Sequence, residues 1–154
     1  MDTLASRHLT TLTVAVDWKG IIDTGSNANG RRRFAPVAGG RFEGERLSGS
    51  VLPGGSDWVF NRPDSAMIVD VRLPLRTDDG AMLSLAYRGV MRATPEAMAR
   101  FGRGASLAAD EYQLRTIASF ETGDPRYLWL NDLLAIGVSG PTTADTRYVI
   151  HEIL

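Results

Sequence analysis

The sequence contains no cysteine. This excludes disulfides, thiolate metal sites and a cysteine nucleophile. Histidine occurs only as His8 and His151. Zinc and iron sites draw on several His or Cys ligands, so no transition-metal site is expected. Lys19 is the only lysine, against a large excess of arginine. That excess reflects either base composition or a use for planar contacts with carboxylates and phosphates. The formal net charge is −1, with both signs spread along the chain. Such a balance lacks the basic footprint of a nucleic-acid binder, and the one basic run, Arg31-Arg32-Arg33, is short. No apolar run approaches the ~20 residues of a membrane span. The first residues lack a basic region followed by an apolar one, so no signal peptide is read. Nucleophile motifs are also missing: Leu47-Ser48-Gly49-Ser50 lacks the strand–elbow–helix setting of hydrolases. The glycine-rich turns precede strands, not helices, so no phosphate cradle is indicated. The expectation is a cytoplasmic protein with no cofactor, no nucleic-acid partner and no membrane partner.

What is present is strand after strand. With 154 residues the chain reads as one domain over 1–154, long enough to bury about two thirds of its unfolded surface. Leu12, Val14, Val16 and Trp18 alternate with Thr11, Thr13, Ala15 and Asp17, the period of a strand. Asp23 to Gly30 is a loop of turn formers. Arg31 to Val37 is a short extended piece, and Gly39-Gly40 breaks it. The next stretch, from Arg41 to Trp58, is punctuated by glycine. Gly44 and Gly49 mark bends or the close approach of another backbone, as a strand curling round a small barrel needs. Pro53-Gly54-Gly55 reads as a turn at a rim, delivering Asp57 and Trp58 near a mouth. Thr94 caps a short helix with Pro95 in its first turn and Gly102 at its end. Tyr112 to Glu121 alternates again. Tyr127 to Leu134 suggests a helical turn, Ala135 to Val138 an extended piece, and Arg147 to Leu154 a closing strand. About eight regularly spaced strands with one helix indicate an all-β antiparallel barrel or sandwich.

The clearest pair is Met67–Arg76 and Ala81–Met91, joined through Thr77-Asp78-Asp79-Gly80. Asp-Gly between two alternating runs is a strong hairpin signal. A two- or four-residue loop would place Asp70, Arg72 and Tyr87 on one face. A three-residue loop would break that set, because a slip of one residue turns every side chain over.

These residues carry a family resemblance. Gly39-Gly40, Gly44, Leu47-Ser48-Gly49, Val51-Leu52-Pro53-Gly54-Gly55 with Asp57-Trp58, Asp70-Val71-Arg72 and Thr77-Asp78-Asp79-Gly80-Ala81 resemble the UPF0311 group, the domain of unknown function 3237. Tyr112 with Arg115-Thr116, Phe120-Glu121, Trp129-Leu130-Asn131 and Tyr148-Val149-Ile150-His151-Glu152 extend the match over nearly the whole chain. Ser65-Ala66 departs from the pattern, which favours glycine there. The resemblance implies a single closed antiparallel β-barrel similar to the calycin group that includes lipocalins. It brings no agreed activity and no accepted catalytic residues.

The candidate site is assembled from side chains that suit small-molecule chemistry. Asp57 and Trp58 offer a carboxylate beside an indole wall; alternatively Trp58 fills the core while Asp57 caps its own turn. Asp70, Arg72 and Tyr87 would move a proton and steady an anion; alternatively the apolar row Val69, Val71 and Leu73 faces inward and the charges stand in water. Arg115 offers a second guanidinium, and Trp129 and Asn131 a wall and a carbonyl-orienting amide; each has a plain surface or turn reading. Asp78-Asp79 is explained by its turn, and His151 lacks a visible partner. The expected function is a small-molecule-binding barrel that acts as a cofactor-independent lyase, isomerase or hydratase next to a carbonyl. Asp57 or Asp70 would be the base, Tyr87 the acid, Arg72 and Arg115 the anion clamps, and Trp58 and Trp129 the walls. The alternatives are a non-catalytic carrier or sensor, and a structural homodimer formed by exposed apolar strands.

Overall fold

A computed structural model describes residues 2–142 and 145–154. Among the described residues there are ten strands: β1 (Ser6–Val16), β2 (Ile22–Asn27), β3 (Gly30–Glu43), β4 (Gly49–Val51), β5 (Gly55–Asn61), β6 (Met67–Thr77), β7 (Met82–Ala93), β8 (Tyr112–Glu121), β9 (Ala135–Ser139) and β10 (Asp145–Ile153). β2 corrects the loop expected from Asp23 to Gly30: Asp23 and Asn27 do accept from the amides of Gly25 and Asn29, but the backbone still pairs with β3. The one α-helix among the described residues, α1 (Pro95–Gly102), begins where Thr94 accepts a hydrogen bond from the Ala97 amide. Every pairing is antiparallel, and β1 joins β10 on one edge and β3 on the other, which closes the sheet.

The ten strands fill eight positions. β1 and β2 lie in turn along one edge of β3. A single 3-10 turn at Trp18–Gly20, capped by the Asp17 carboxylate, separates them. β4 and β5 likewise share one place between β3 and β6. The result is a closed eight-stranded antiparallel barrel, the geometry that removes free sheet edges.

Pro53-Gly54 is therefore a bulge within one wall and not a rim turn. Gly55 pairs with Val37 and Val51 with Gly40, so three residues stand opposite two. Leu52 donates to the Pro74 carbonyl. Pro74 has no amide hydrogen to give, so the interruption falls where the ladder lacks a donor. Gly39-Gly40 does not break β3, which runs on to Glu43. Gly40 takes φ +148, with the Thr13 carbonyl so close that a β-carbon would sit 2.1 Å from its oxygen. The strand bends there and continues.

Alternation sorts the side chains as an amphipathic barrel requires. On β6, Met67, Val69, Val71, Leu73 and Leu75 are buried, while Asp70 and Arg72 face outward. Phe42, Leu12, Leu85 and Ile150 join them inside. Each such side chain contributes about 1.5–3 kcal/mol on full burial. Ala97, Met98 and Phe101 of α1 pack against one end of this core. At the other end a 3-10 turn, Leu128–Asp132, inserts the fully buried Leu130. Among the described residues, no helix is long and apolar enough to cross a membrane.

Ser65 is the one described non-glycine residue with positive φ, at 69°. It occupies the position where the family resemblance favours glycine. The left-handed region costs an L-residue about 1–2 kcal/mol, partly offset by the greater chain entropy of glycine. Ser65→Gly should raise stability by about 0.5–1 kcal/mol. Urea denaturation of the two proteins measures it; an unchanged or lower midpoint would contradict the strain.

Candidate functional site

The hairpin loop decides which residues can meet. Arg76 pairs with Met82, and the Thr77 amide donates to the Ala81 carbonyl at 2.9 Å. Asp78, Asp79 and Gly80 thus form a three-residue loop, with Gly80 at φ +93. An odd loop turns the following strand over. Tyr87 stands opposite Val71 on the inner face, while Asp70 stands opposite Arg88 on the outer face. The expected Asp70–Arg72–Tyr87 set is therefore divided by the barrel wall. Asp70 lies 4.0 Å from Arg88 in an exposed pair, worth little in water. Arg72 is exposed and borders an outer cleft with Gly54, Pro74, Met82 and Ser84.

Trp58 is also outside. It is 53% exposed, packs edge-on against Phe34 at 5.0 Å, and its indole nitrogen donates to Ser56. Ile22, Phe34 and Trp58 stand in register across β2, β3 and β5, giving an outer apolar row. Arg115 is exposed on β8 and donates to the carbonyl of Leu114. Trp129 and Asn131 belong to the turn that closes the far end. Arg46 lies over the Trp129 ring at 4.4 Å, beside a cleft of about 390 Å³ bordered by Asp79, Arg126 and Tyr127. The charges in that cleft are mutually paired: Arg46 with Glu152, and Arg126 with Asp79 and Asp124. The Asn131 amide holds the Thr122 amide, the Thr122 carbonyl and the Leu128 carbonyl. It fastens a loop.

Asp57 and Tyr87 do come inside, and three residues that the sequence reading passed over join them. Asp57 lies inward of Trp58, with Ala35 and Val59 on the same face. β5 pairs with β6 at Ser56 and Asp57, and again at Phe60 and Asn61. Between these points the ladder skips Trp58 and Val59. There the Asp57 carboxylate takes the Asp70 amide at 3.0 Å. Burial is the main influence on this carboxyl and pushes it up to about 6; the Asp70 amide and the Arg33 and Arg32 charges work against that rise.

Tyr87 and Tyr148 come from opposite walls, β7 and β10, with ring centroids 5.0 Å apart. Both are buried. Burial holds both hydroxyls well above their ordinary range; the Tyr87 hydroxyl is raised further by Tyr148 and Asp57, and that of Tyr148 by Asp57 and Tyr112. They remain protonated hydrogen-bond donors across the range in which Asp57 titrates. Arg33, inward on β3, donates to the Asn61 side-chain oxygen at 2.8 Å. Its Nε is buried without a hydrogen-bond partner. Arg33, Asn61 and Tyr148 carried weak sequence signals. Arg33 sits in the Arg31-Arg32-Arg33 run, Asn61 in a turn-forming stretch and Tyr148 in the apolar closing strand. Only closure of the barrel brings β3, β5, β7 and β10 together. Among the described residues, no group of three or more His, Asp or Glu side chains is disposed to hold a metal ion.

The interior thus holds a carboxyl raised to about 6, two protonated phenols and an arginine with an unpartnered Nε–H, groups of the kind that acid–base chemistry uses. Asp57 can accept a proton, while the phenols can donate to an oxygen that gains negative charge.

Comparison with known proteins places the chain in a wider group. The family model described as "Protein of unknown function (DUF3237)" matches residues 5–153. A UPF0311 protein of Rhodopseudomonas palustris is 31% identical over 153 residues, covering 99% of this chain and 98% of its own. A crystal structure of a conserved protein of unknown function from that organism superposes with a TM-score of 0.93, at 29% identity and 100% coverage of both chains. A beta-barrel like protein from Acinetobacter baumannii gives a TM-score of 0.84 at 28% identity, covering 100% of this chain and 98% of that one. A structure described as an enzyme from Penicillium herquei gives 0.72 at 16% identity, covering 100% of this chain and 97% of that one, a likeness of fold alone.

Proposed function

The chain belongs to the DUF3237 family of proteins of unknown function, so its chemistry must be read from its own lumen, and we propose that the barrel binds a small organic molecule and moves a proton on a carbon next to its carbonyl, without a cofactor. Asp57 is the base. It takes the proton from carbon, and the electron pair moves onto the carbonyl oxygen. Tyr87, seconded by Tyr148, donates a hydrogen bond to that oxygen as it becomes enolate-like. Asp57 then returns the proton, to a second carbon in an isomerisation or to a leaving hydroxyl in a dehydration. The observation that carries the reading is the part-buried Asp57 carboxyl, held at about 6 by desolvation, on the same interior face as two phenols that stay protonated. A base of this strength is half-ionised close to working pH, where proton transfer is most effective. The enzyme from Penicillium herquei has the same fold at 16% identity, which lends no residue or substrate to this chain.

The test is hydrogen exchange at carbon. The protein is incubated in D₂O with small aromatic ketones and 2-oxo acids, and proton NMR follows the signal next to the carbonyl. Wild type should exchange it faster than buffer, with a rate that rises through about pH 6 as Asp57 ionises. Asp57→Asn should remove the acceleration. Equal exchange by Asp57→Asn would end the base assignment. Binding of the same compounds without exchange would favour the second reading, a carrier whose lumen holds a ligand and does not turn it over.

A further inference from the structure

The lumen contains a positive group that the acid–base reading leaves unused. Arg33 faces inward on β3, in line with the buried Ala35 and Val37. Among the described residues no carboxylate lies within ion-pair distance of it. Its Nη2 donates to the neutral oxygen of Asn61, and its Nε is buried with no acceptor. A buried donor left without an acceptor carries an uncompensated desolvation cost. Its neighbours in the run are occupied elsewhere. Arg31 pairs with Asp23, and Arg32 donates to the Trp58 carbonyl and stacks on Phe60 on the outer face.

The charge around Arg33 points the same way. The nearby carboxyl is Asp57, which burial keeps partly protonated near pH 6. Tyr87 and Tyr148 are neutral. Whenever Asp57 carries its proton, this inner set holds one guanidinium charge and no anion. A neutral carbonyl would fill the Nε–H but leave the charge; a carboxylate answers both. Asn61 fixes the guanidinium by one corner, so the free Nε–H keeps a set direction.

We propose that the lumen selects ligands bearing a carboxylate, whose oxygen accepts from Arg33 Nε, with Asn61 as the positioning residue. This rests on the proposed function for the reacting end of the molecule: the carbonyl side would meet Asp57 and Tyr87 while the acid end is held by Arg33. The substrate class is then a small aromatic or aliphatic oxo-acid.

The experiment uses the full-length protein with phenylpyruvate and phenylacetate, and phenylacetamide as the neutral match. Arginine Nε–Hε resonances are followed by ¹⁵N-resolved NMR, with affinities from calorimetry. The acids should shift the Arg33 Nε–Hε signal, assigned by its loss in Arg33→Lys, and phenylacetamide should leave it in place. Arg33→Gln should weaken phenylacetate binding about 10- to 100-fold, the span of a charged hydrogen bond, and Asp57→Asn should still bind it. If Arg33→Gln proves unfolded, the Nε–Hε titration of the wild type decides alone. Acid binding that leaves Arg33 Nε–Hε unmoved overturns the proposal, as does equal affinity for the amide, or no binding of either acid at millimolar concentration. Exchange of a neutral ketone that depends on Asp57 would survive all three of those results, so this failure is distinct from failure of the acid–base reading.

Discussion

Asp57→Asn should make the protein more stable at pH 8, by about 3 kcal/mol, while removing the proton transfer proposed for Asp57. The free energy follows from the carboxyl's shift from 3.8 to about 6, at about 1.4 kcal/mol for each unit. The sign follows from proton binding. The folded-state value lies above the unfolded one, so between them the folded protein holds the proton more tightly. The contribution is fully present below about 4, is lost as pH rises to about 6, and leaves the folded state carrying the cost of a buried anion above that. Asparagine keeps an oxygen for the Asp70 amide and has no charge to bury. Wild type and variant should therefore unfold together near pH 4 and part progressively up to pH 7. At 2–4 °C per kcal/mol for a chain of this size, the difference in melting temperature at pH 8 is roughly 6–12 °C. Calorimetry over that pH series measures it. A variant no more stable at pH 8 than wild type would mean that the Asp57 carboxyl is not desolvated. The charges bearing on it are Asp70 from β6 and Arg33 and Arg32 from β3, and none of the three is altered by the substitution. On the proposed function, the burial that makes the carboxylate costly is also what suits it as a base, so stability and activity would oppose each other at this residue.

Gly49→Ala should be among the most damaging single substitutions in the wall, costing about 3 kcal/mol and a melting temperature lower by roughly 6–12 °C. A β-carbon there would lie 2.1 Å from the Arg76 carbonyl oxygen, 2.6 Å from the Phe42 ring and 2.7 Å from the Thr77 α-carbon. Two of these three neighbours are backbone, so no rotamer change relieves the overlap. β4 has to move away from β6, and that loosens Phe42, which is wholly buried. Gly123→Ala is the matched control: nothing lies within 4 Å of its β-carbon. It should stay within about 0.5 kcal/mol of wild type. Equal loss at both positions in denaturant titrations would show that the contacts around Gly49 do not set the penalty.

Gly49 also shows how much of the wall could be read before any fold was known. Glycine inside a strand pattern points to a close neighbour, and Gly44 and Gly49 have one each, the Leu9 and Arg76 carbonyls. The helix after Thr94, the hairpin after Met67, the 3-10 turn before Ala135 and the closing strand were all legible, because each is set by local periodicity and turn chemistry. The course of β3 through Gly40 was not. Whether glycine ends a strand or bends it depends on the partner across the ladder, here Thr13, 27 residues away in sequence.

The candidate site divides along the same line. Asp57 could be chosen from its turn, and Tyr87 from its place in an alternating strand. The separation of Tyr87 from Asp70 and Arg72 could not, since it depends on whether the loop after Thr77 holds an odd or even number of residues. Thr77, Asp79 and Gly80 together settle that through hydrogen bonds and one positive φ. The sequence by itself determined an all-β chain, its family and the apolar row that must face inward, because burial and strand period are local properties of the residues. Only the tertiary structure decided that Arg33, Asp57, Tyr87 and Tyr148 share one interior. They come from four strands whose meeting requires β1 to close on β3, and the raised Asp57 carboxyl is a property of that enclosure and of no single stretch of chain.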